Sequence, residues 1–257
     1  MVRSPREHSL ELAARLGASA HVCEVMSVRA LSTSLSEVTL RGGALTLSGQ
    51  PGNDVMVLVG GSNEHVVRRR YSVRAVSSER DEFVLWVTTG HDGDGAQWAR
   101  AAAPGDLVDV IGPRGKITLA REASWHLFVG DVSSLGAFYR MAESVEAPSQ
   151  VLFVIDLAHD DDALTTALPE GVGVTGVFVD RGTRAANDPA GLLSGLAALS
   201  LPEGVGHAYL FGEFAVMRAA ARALAERGLR AEDVSSKAFW RAGRSNAAHG
   251  EPVKTDD

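Results

Sequence analysis

The stretch of the chain best suited to chemistry is Arg68-Arg69-Arg70-Tyr71-Ser72-Val73-Arg74, which sets an aromatic ring and a hydroxyl among several guanidinium groups. Its residue types predict a β-strand that sends Arg69 and Tyr71 to one face and Arg70 and Ser72 to the other. Such a strand suits a flat ring system with a phosphate tail, because it offers a stacking face, a hydroxyl and a bidentate cation. The alternative is a solvated basic edge strand with a half-buried tyrosine.

Two predicted strand-to-helix turns are candidate nucleotide sites. In Gly130-Asp131-Val132-Ser133-Ser134-Leu135-Gly136, the backbone amides of a helix start and two serine hydroxyls could hold a phosphate. The alternative is a capped turn with Ser133 as the N-cap. In Phe211-Gly212-Glu213, the glycine permits close approach of a ribose, and Glu213 equally suits a first-turn carboxylate that favours the helix dipole.

The segment Lys237-Ala238-Phe239-Trp240-Arg241-Ala242-Gly243-Arg244 combines two aromatic residues with three cations. This composition favours a bulky, aromatic, anionic ligand held by cation–π and charge-assisted contacts. The alternative is a core Trp240 with its arginines in water.

Composition excludes several classes of function. The net charge of −7 disfavours nucleic acid and anionic membranes as partners. Cys23 is the only cysteine, so intrachain disulfides and all-cysteine metal sites are excluded, and the eight scattered histidines predict no metal centre. No apolar run is long enough for a membrane span and the N-terminus lacks a signal-peptide core, so we expect a cytoplasmic protein.

The elements that position these residues change character along the chain. Residues 9–16 predict a short helix with Ser9 as its cap and Gly17 as its stop. Short apolar runs separated by turn signals then predict a six-stranded antiparallel barrel, interrupted by one helix over 96–103. The strands are expected at 22–30, 36–41, 54–60, 70–76, 82–88 and 106–111.

After Gly115, strand-like and helical segments alternate, which predicts a five-stranded parallel sheet with helices on both faces. Strands are expected at 126–129, 151–155, 172–179, 207–211 and 235–240, and helices at 134–146, 160–168, 189–199 and 213–227. We therefore expect a helical extension over 1–20, the barrel over 21–120, the α/β domain over 121–246 and a flexible tail over 247–257.

With five spaced motifs in this order, the chain resembles the siderophore-interacting protein family, within the ferredoxin-reductase-like superfamily. The resemblance covers about residues 22–246. It depends on Arg69-Arg70-Tyr71-Ser72-Val73-Arg74, Gly112-Pro113-Arg114-Gly115, Gly130-Asp131, Gly212-Glu213 and Phe239-Trp240-Arg241-Ala242-Gly243-Arg244. It implies an FAD-binding barrel, an NAD(P)H-binding α/β domain and electron transfer to a ferric siderophore.

Carried over to this chain, the resemblance implies a role for each matching residue. Arg69 would contact the FAD phosphates, Tyr71 would pack on the isoalloxazine and Ser72 would lie near its N5 edge. Trp240 would flank the flavin, and Ser133 would lie where the second domain touches both cofactors. The remaining implied residues are Arg74, Thr89, Gly90, Gly95 and Ala96 for FAD, Gly130, Asp131, Gly212 and Glu213 for NAD(P)H, and Lys237, Arg241 and Arg244 for an anionic siderophore.

One segment departs from the family pattern. Where the family commonly reads H-G-x-x-G-P-A-S-x-W-A, residues 89–99 keep the glycines, Trp98 and Ala99, but carry Asp94, Gly95 and Ala96 in place of Pro, Ala and Ser. The lost serine is a phosphate ligand in the family, and a carboxylate at a helix start competes with pyrophosphate for the same positive potential.

The leading hypothesis is an NAD(P)H-dependent ferric-siderophore reductase that needs no side-chain acid or base, because a flavin converts a two-electron donor into a one-electron donor. The altered segment keeps two alternatives open: a flavoenzyme acting on an organic biosynthetic intermediate, and a binding module that has lost flavin. The loop Asp180-Arg181-Gly182-Thr183-Arg184 could bind the 2′-phosphate of NADPH through its arginines or be a plain surface loop.

Overall fold

The computed structural model describes residues 4–62, 66–162 and 170–244. The chain divides into two compact units. The first comprises Met1–Thr118 with Tyr139–Met141, and the second comprises Leu119–Phe138 with Ala142–Asp257. Each unit is built around its own β-sheet. The predicted tail, residues 247–257, lies outside the described residues.

The first unit is a closed six-stranded antiparallel barrel, as predicted. Around the barrel the strands run in the order β1, β2, β5, β4, β3 and β6, and closure leaves no free sheet edge. Its core consists mainly of inward-facing valines and leucines at alternate strand positions. The strands are β1 (Ser19–Ala30), β2 (Leu35–Arg41), β3 (Asp54–Gly61), β4 (Val66–Ser77), β5 (Glu82–Thr88) and β6 (Leu107–Arg114).

Three helices accompany the barrel: α1 (Pro5–Leu16), α2 (Ala44–Ser48) and α3 (Asp94–Ala101). The predicted cap Ser9 is wrong, because α1 begins four residues earlier with Ser4 as its N-cap and Glu7 completing a capping box. Ser9 instead lies inside the helix, where its hydroxyl donates to the carbonyl oxygen of Pro5. Gly17 does end the helix, in the left-handed conformation at φ 60°.

The second unit is a five-stranded parallel sheet with helices, as predicted. The strands lie in the order β11, β10, β7, β8 and β9, so the strand order reverses between β7 and β10. In open α/β sheets, ligands bind beyond the carboxyl ends of the strands at such a reversal. The strands are β7 (Trp125–Asp131), β8 (Gln150–Leu157), β9 (Gly173–Asp180), β10 (Gly206–Glu213) and β11 (Val234–Trp240).

The helices of this unit are α4 (Leu135–Ala142), α5 (Ala190–Ala198) and α6 (Phe214–Glu226). Helices α5 and α6 cover one face of the sheet through leucine, valine and alanine side chains. Phe138 of α4 packs on Phe128 and Phe211 of the other face. Helix α4 is shorter than the predicted 134–146. Of the helix predicted over 160–168, residues 160–162 form a 3₁₀ turn and the rest lie outside the described residues.

None of the helices in the described ranges is both long enough and apolar enough to span a bilayer.

Candidate functional site

The first candidate site lies where β4 meets the start of α3. In the register between β3 and β4, Val55 faces Tyr71 and Val57 faces Arg69. Both valines are fully buried in the barrel, so Tyr71 and Arg69 share the inward face of β4. Ser72 lies on the outward face, opposite Asp54. The strand therefore separates the predicted cofactor residues into two sets.

Tyr71 packs its ring between the barrel core and Trp98 of α3, with ring centroids 6.0 Å apart and planes at 27°. Its hydroxyl is buried and has no hydrogen-bond partner among the described residues. Burial raises the pKa of this phenol. The hydroxyl oxygen lies only 2.1 Å from the position that a Cβ on Gly95 would occupy. Gly95 therefore makes the space in which the tyrosine hydroxyl sits.

Arg69 forms an ion pair with Asp94, the first residue of α3. A second guanidinium nitrogen donates to the carbonyl oxygen of Arg68 at 2.9 Å. The Arg69 side chain is 26% exposed and that of Asp94 is 46% exposed, so the pair remains open to solvent. The predicted phosphate-binding cation is thus already neutralised by the carboxylate that departs from the family pattern.

The N-terminus of α3 supplies further donors. Its N-cap residue Gly93 makes no side-chain cap, and the first helical hydrogen bond runs from Gln97 to Gly93. An α-helix has no internal carbonyl partners for its first backbone N–H groups, which here are those of residues 94–96. Free N–H groups at a helix start bind anions. Together with Arg69 and the unpaired Tyr71 hydroxyl, they fit the diphosphate of an FAD, although the Asp94 carboxylate opposes it.

The remaining predicted barrel residues lie around this corner. Arg100 of α3 fastens the preceding loop by donating to the carbonyl oxygens of Thr89 and His91, at 2.7 and 2.9 Å. Gly90 lies in the same loop. Ala96 is buried in the first turn of α3. Arg74 stacks over the Trp86 ring at 5.0 Å, away from Arg69 and Tyr71 on the strand.

The second candidate site lies at the carboxyl ends of β7 and β10, and Asp131 organises it. Its buried carboxylate accepts four hydrogen bonds. Oδ1 accepts from the backbone N–H of Ser133 at 2.9 Å and from its hydroxyl at 2.5 Å. Oδ2 accepts from the N–H of Glu213 at 3.0 Å and from Trp240 Nε1 at 2.9 Å. Asp131 therefore ties β7 to β10 and β11, and the alternative in which Ser133 is the N-cap is wrong, because Asp131 caps this turn.

Two glycines at this edge are explained by close packing. A Cβ on Gly130 would lie 2.2 Å from the carbonyl oxygen of Phe211. A Cβ on Gly212 would lie 2.6 Å from Asp131 Oδ2, and its φ of 152° disfavours other residues. Glu213 is the N-cap of α6, and its Oε2 accepts from the N–H groups of Ala215 and Val216. Sequence reasoning placed these residues at the right edge but did not anticipate this network.

The cationic segment near the chain end divides into a buried and an exposed part. Lys237 is only 7% exposed, and its ammonium lies 5.5 Å from the centre of the Phe239 ring. Arg241 and Arg244 are exposed, and their backbones pair in an isolated antiparallel β-bridge across a tight turn. The Arg241 guanidinium lies 4.8 Å from the centre of the Phe214 ring. The structure thus brings the two arginines together and leaves Lys237 apart from them.

A third feature joins the ends of β8 and β9. Asp156, 6% exposed, accepts from Arg181 Nε at 2.8 Å, and Arg184 lies 3.8 Å from its other oxygen. Burial raises the pKa of Asp156, and the two arginines oppose this. Both arginines that could bind a 2′-phosphate are therefore engaged with one carboxylate. Within the described ranges, no three histidine, cysteine or carboxylate side chains are grouped so that they could share a metal ion.

An antiparallel six-stranded barrel followed by a five-stranded α/β unit defines the ferredoxin-reductase-like class of proteins. The sequence profile of the siderophore-interacting protein family matches residues 123–243, and that of the siderophore-interacting FAD-binding domain matches residues 59–117. The chain belongs to the siderophore-interacting protein family.

Individual proteins similar to this chain include both characterised and uncharacterised ones. An uncharacterized protein of Mycobacterium tuberculosis is 29% identical over 188 residues, which are 69% of this chain and 66% of that protein, slightly less than two thirds of the relative's length. A ferric vibriobactin reductase of Vibrio cholerae is 33% identical over 96 residues, 37% of this chain and 35% of that protein. The crystal structure of a siderophore utilization protein from T. fusca has a TM-score of 0.78 at 25% identity, covering 90% of this chain and 96% of that one.

Proposed function

We propose that this protein is an NAD(P)H-dependent flavoprotein reductase that binds FAD on its barrel and passes electrons to a ferric siderophore. The observation that carries the proposal is the corner at which Arg69, Tyr71 and the first N–H groups of α3 come together. This corner lies inside the match to the family's FAD-binding domain. The Vibrio cholerae relative supports the ferric substrate, since it is a ferric vibriobactin reductase.

Bound FAD would accept the two electrons of a hydride and release them singly, as iron(III) requires. On the barrel, Arg69 and the N–H groups of α3 would hold the cofactor's phosphates. Tyr71, which already stacks on Trp98, would contact the cofactor from the inward face of β4. Ser72 lies on the outward face of the same strand, so a ring system packed on Tyr71 would not meet its hydroxyl. No side chain has to act as an acid or base, so these residues would bind and orient.

On the α/β unit, NAD(P)H would bind at the reversal of strand order between β7 and β10. The carboxylates of Asp131 and Glu213 are occupied by backbone and indole donors. We therefore assign them a positioning role, in which they hold the strand ends that shape the site. Gly130 and Gly212 allow the strand ends and Asp131 to pack closely at this edge, since a Cβ on either would collide with neighbouring protein atoms.

The exposed pair Arg241 and Arg244 would attract an anionic ferric chelate. Arg241, which already lies over the Phe214 ring, would also make cation–π contacts with the aromatic groups of a siderophore. The buried Lys237 would contribute through the local potential. We place the reaction in the cytoplasm, where NAD(P)H is regenerated.

The experiment is a spectrum of the purified protein with added FAD, followed by anaerobic NADH or NADPH and then by ferric chelates. We expect absorbance near ~450 nm that is lost with the nicotinamide and restored by a ferric siderophore. A protein that never acquires this absorbance would contradict the reductase and favour a binding module. Restoration by an organic oxidant but by none of the chelates would favour the biosynthetic alternative.

The substrate site is tested with a matched pair of variants. The double variant Arg241→Gln, Arg244→Gln should slow reoxidation by an anionic chelate about 5- to 10-fold and barely affect a neutral chelate. Arg222→Gln removes an exposed charge on α6 of the same unit and is the control. Because the control removes one charge and the double variant two, a control effect about half as large on a logarithmic scale would mean that the arginines act only through net charge.

A further inference from the structure

The ion pair between Arg69 and Asp94 places an anion where the proposed flavin site needs a phosphate. A carboxylate and a phosphate present the same kind of oxygen to a guanidinium group. Asp94 also stands in the first turn of α3, where the helix dipole favours negative charge. Within the chain itself, Asp94 therefore satisfies both features that would attract the phosphate of a ligand.

We propose that Asp94 is a specificity-determining residue, whose carboxylate occupies Arg69 in the free protein and sets how strongly the site holds phosphorylated flavins. A phosphate can bind Arg69 only by displacing the Asp94 carboxylate or by binding beside it despite the repulsion between the two negative charges. Binding of the ring system alone requires neither. The inference depends on the proposed flavin site and concerns which flavins that site prefers.

A second observation points to a ligand oxygen at this corner. The Tyr71 hydroxyl is buried beside the first turn of α3 and has no acceptor among the described residues. An unsatisfied buried hydroxyl costs about 1–3 kcal/mol, so native structures rarely keep one without a reason. An oxyanion that reaches the start of α3 would give this hydroxyl an acceptor. The Tyr71 hydroxyl and the Arg69 side chain both lie beside Gly95 in the first turn of α3, next to the residue whose carboxylate pairs with Arg69.

The chain offers a matched control for this test. Asp94→Asn removes the charge and keeps the side-chain shape. Asp92→Asn removes the same charge two residues earlier, from a fully exposed carboxylate whose cation, Arg100, is 3.8 Å away. Neither substitution touches the buried core of the barrel, and circular dichroism would confirm that both variants fold.

The experiment is a titration of each protein with riboflavin, FMN and FAD at low ionic strength, followed by quenching of flavin fluorescence. Riboflavin shares the ring system and lacks a phosphate. We expect Asp94→Asn to bind FMN and FAD about fivefold more tightly than the unsubstituted protein, while riboflavin changes less than about twofold. Asp92→Asn should leave all three affinities within about twofold.

Each other outcome has a defined meaning. Unchanged FMN and FAD affinity in Asp94→Asn would overturn the inference and leave the reductase proposal standing. The same would follow if riboflavin tightened equally, or if Asp92→Asn gave the same gain. If none of the three flavins bound to either protein, the flavin site itself would be refuted, and the proposed function with it.

Discussion

The hydroxyl oxygen of Tyr71 lies 2.1 Å from where a Cβ on Gly95 would be, so with the tyrosine in this position residue 95 has to be glycine. The family commonly has alanine at the position of Gly95. With that alanine, the tyrosine would have to lie elsewhere. The position of the Tyr71 ring is therefore coupled to the same segment that introduces Asp94.

This relationship predicts that Gly95→Ala destabilises the protein, although alanine is the better helix former by ~0.5–1 kcal/mol. The added methyl collides with the Tyr71 hydroxyl, and overpacking costs about 1–3 kcal/mol. In a Tyr71→Phe background the nearest atoms would be Arg69 Cγ at 3.2 Å and a ring carbon at 3.4 Å, so Gly95→Ala should then cost much less. Urea denaturation of the four proteins of this double-mutant cycle measures the coupling. Equal costs in both backgrounds would contradict the contact.

A pH dependence follows from His126, which is 2% exposed on β7 and has an unpartnered Nδ1 within the described structure. Burial, and then the nearby His207, lower its pKa from 6.5 to about 4. The folded pKa is below the unfolded one, so the unfolded state binds more protons between these values. The contribution of the neutral His126 to stability is therefore fully present above pH ~6.5. It is lost as the pH falls towards 4, by about 3 kcal/mol in all.

The check is the free energy of unfolding at pH 7 and pH 5, measured for the unsubstituted protein and for His126→Gln. The neutral variant should lose much of the difference between the two pH values. His8→Gln removes a half-buried histidine of α1, which is less buried than His126, and should leave the difference largely unchanged. If His126→Gln kept the same difference in unfolding free energy between pH 7 and pH 5, the pH dependence would come from other groups.

Sequence patterns predicted both sheets because each is built from repeated local signals. Short apolar runs separated by turns indicated the barrel, and alternating strand-like and helical segments indicated the parallel sheet. Helix α2 was missed because its five residues are too short to show a helical period. The start of α1 was misplaced although Ser4, Pro5 and Glu7 carry a capping-box signal in the sequence itself.

The contacts within the candidate sites could not be read from local patterns. Asp131 is bonded to residues 82 and 109 positions away, and Arg69 to Asp94 across 25 positions. Sequence alone identified Asp94 as a competitor for phosphate, but the pairing with Arg69 depends on how α3 docks on β4. Side-chain partners of this kind are set by tertiary packing, which residue types and spacing do not encode individually.

The four bonds to Asp131 predict that Asp131→Asn destabilises the α/β unit by about 2–4 kcal/mol. The amide nitrogen of asparagine would face N–H donors, and a buried donor facing another donor is left unsatisfied. Trp240→Phe removes one donor and should cost about 1 kcal/mol. Both values come from urea denaturation. A loss in Asp131→Asn no larger than in Trp240→Phe would mean that the indole contact alone matters.

The pairing of Arg181 and Arg184 with Asp156 predicts how the protein discriminates between nicotinamide dinucleotides. Asp156→Asn should release the arginines and tighten NADP⁺ relative to NAD⁺ about fivefold, because a guanidinium then becomes available to the 2′-phosphate. Asparagine leaves the half-buried Arg181 without its charge partner, so we also expect stability to fall by about 1–3 kcal/mol. Calorimetric titration with both nucleotides measures the ratio, and Asp180→Asn, an exposed neighbour that accepts from the Gly182 N–H, is the control. Equal changes in the affinities for NAD⁺ and NADP⁺ would place the 2′-phosphate away from these arginines. Releasing the arginines from Asp156 can favour NADP⁺ only if they contact its 2′-phosphate, which NAD⁺ lacks.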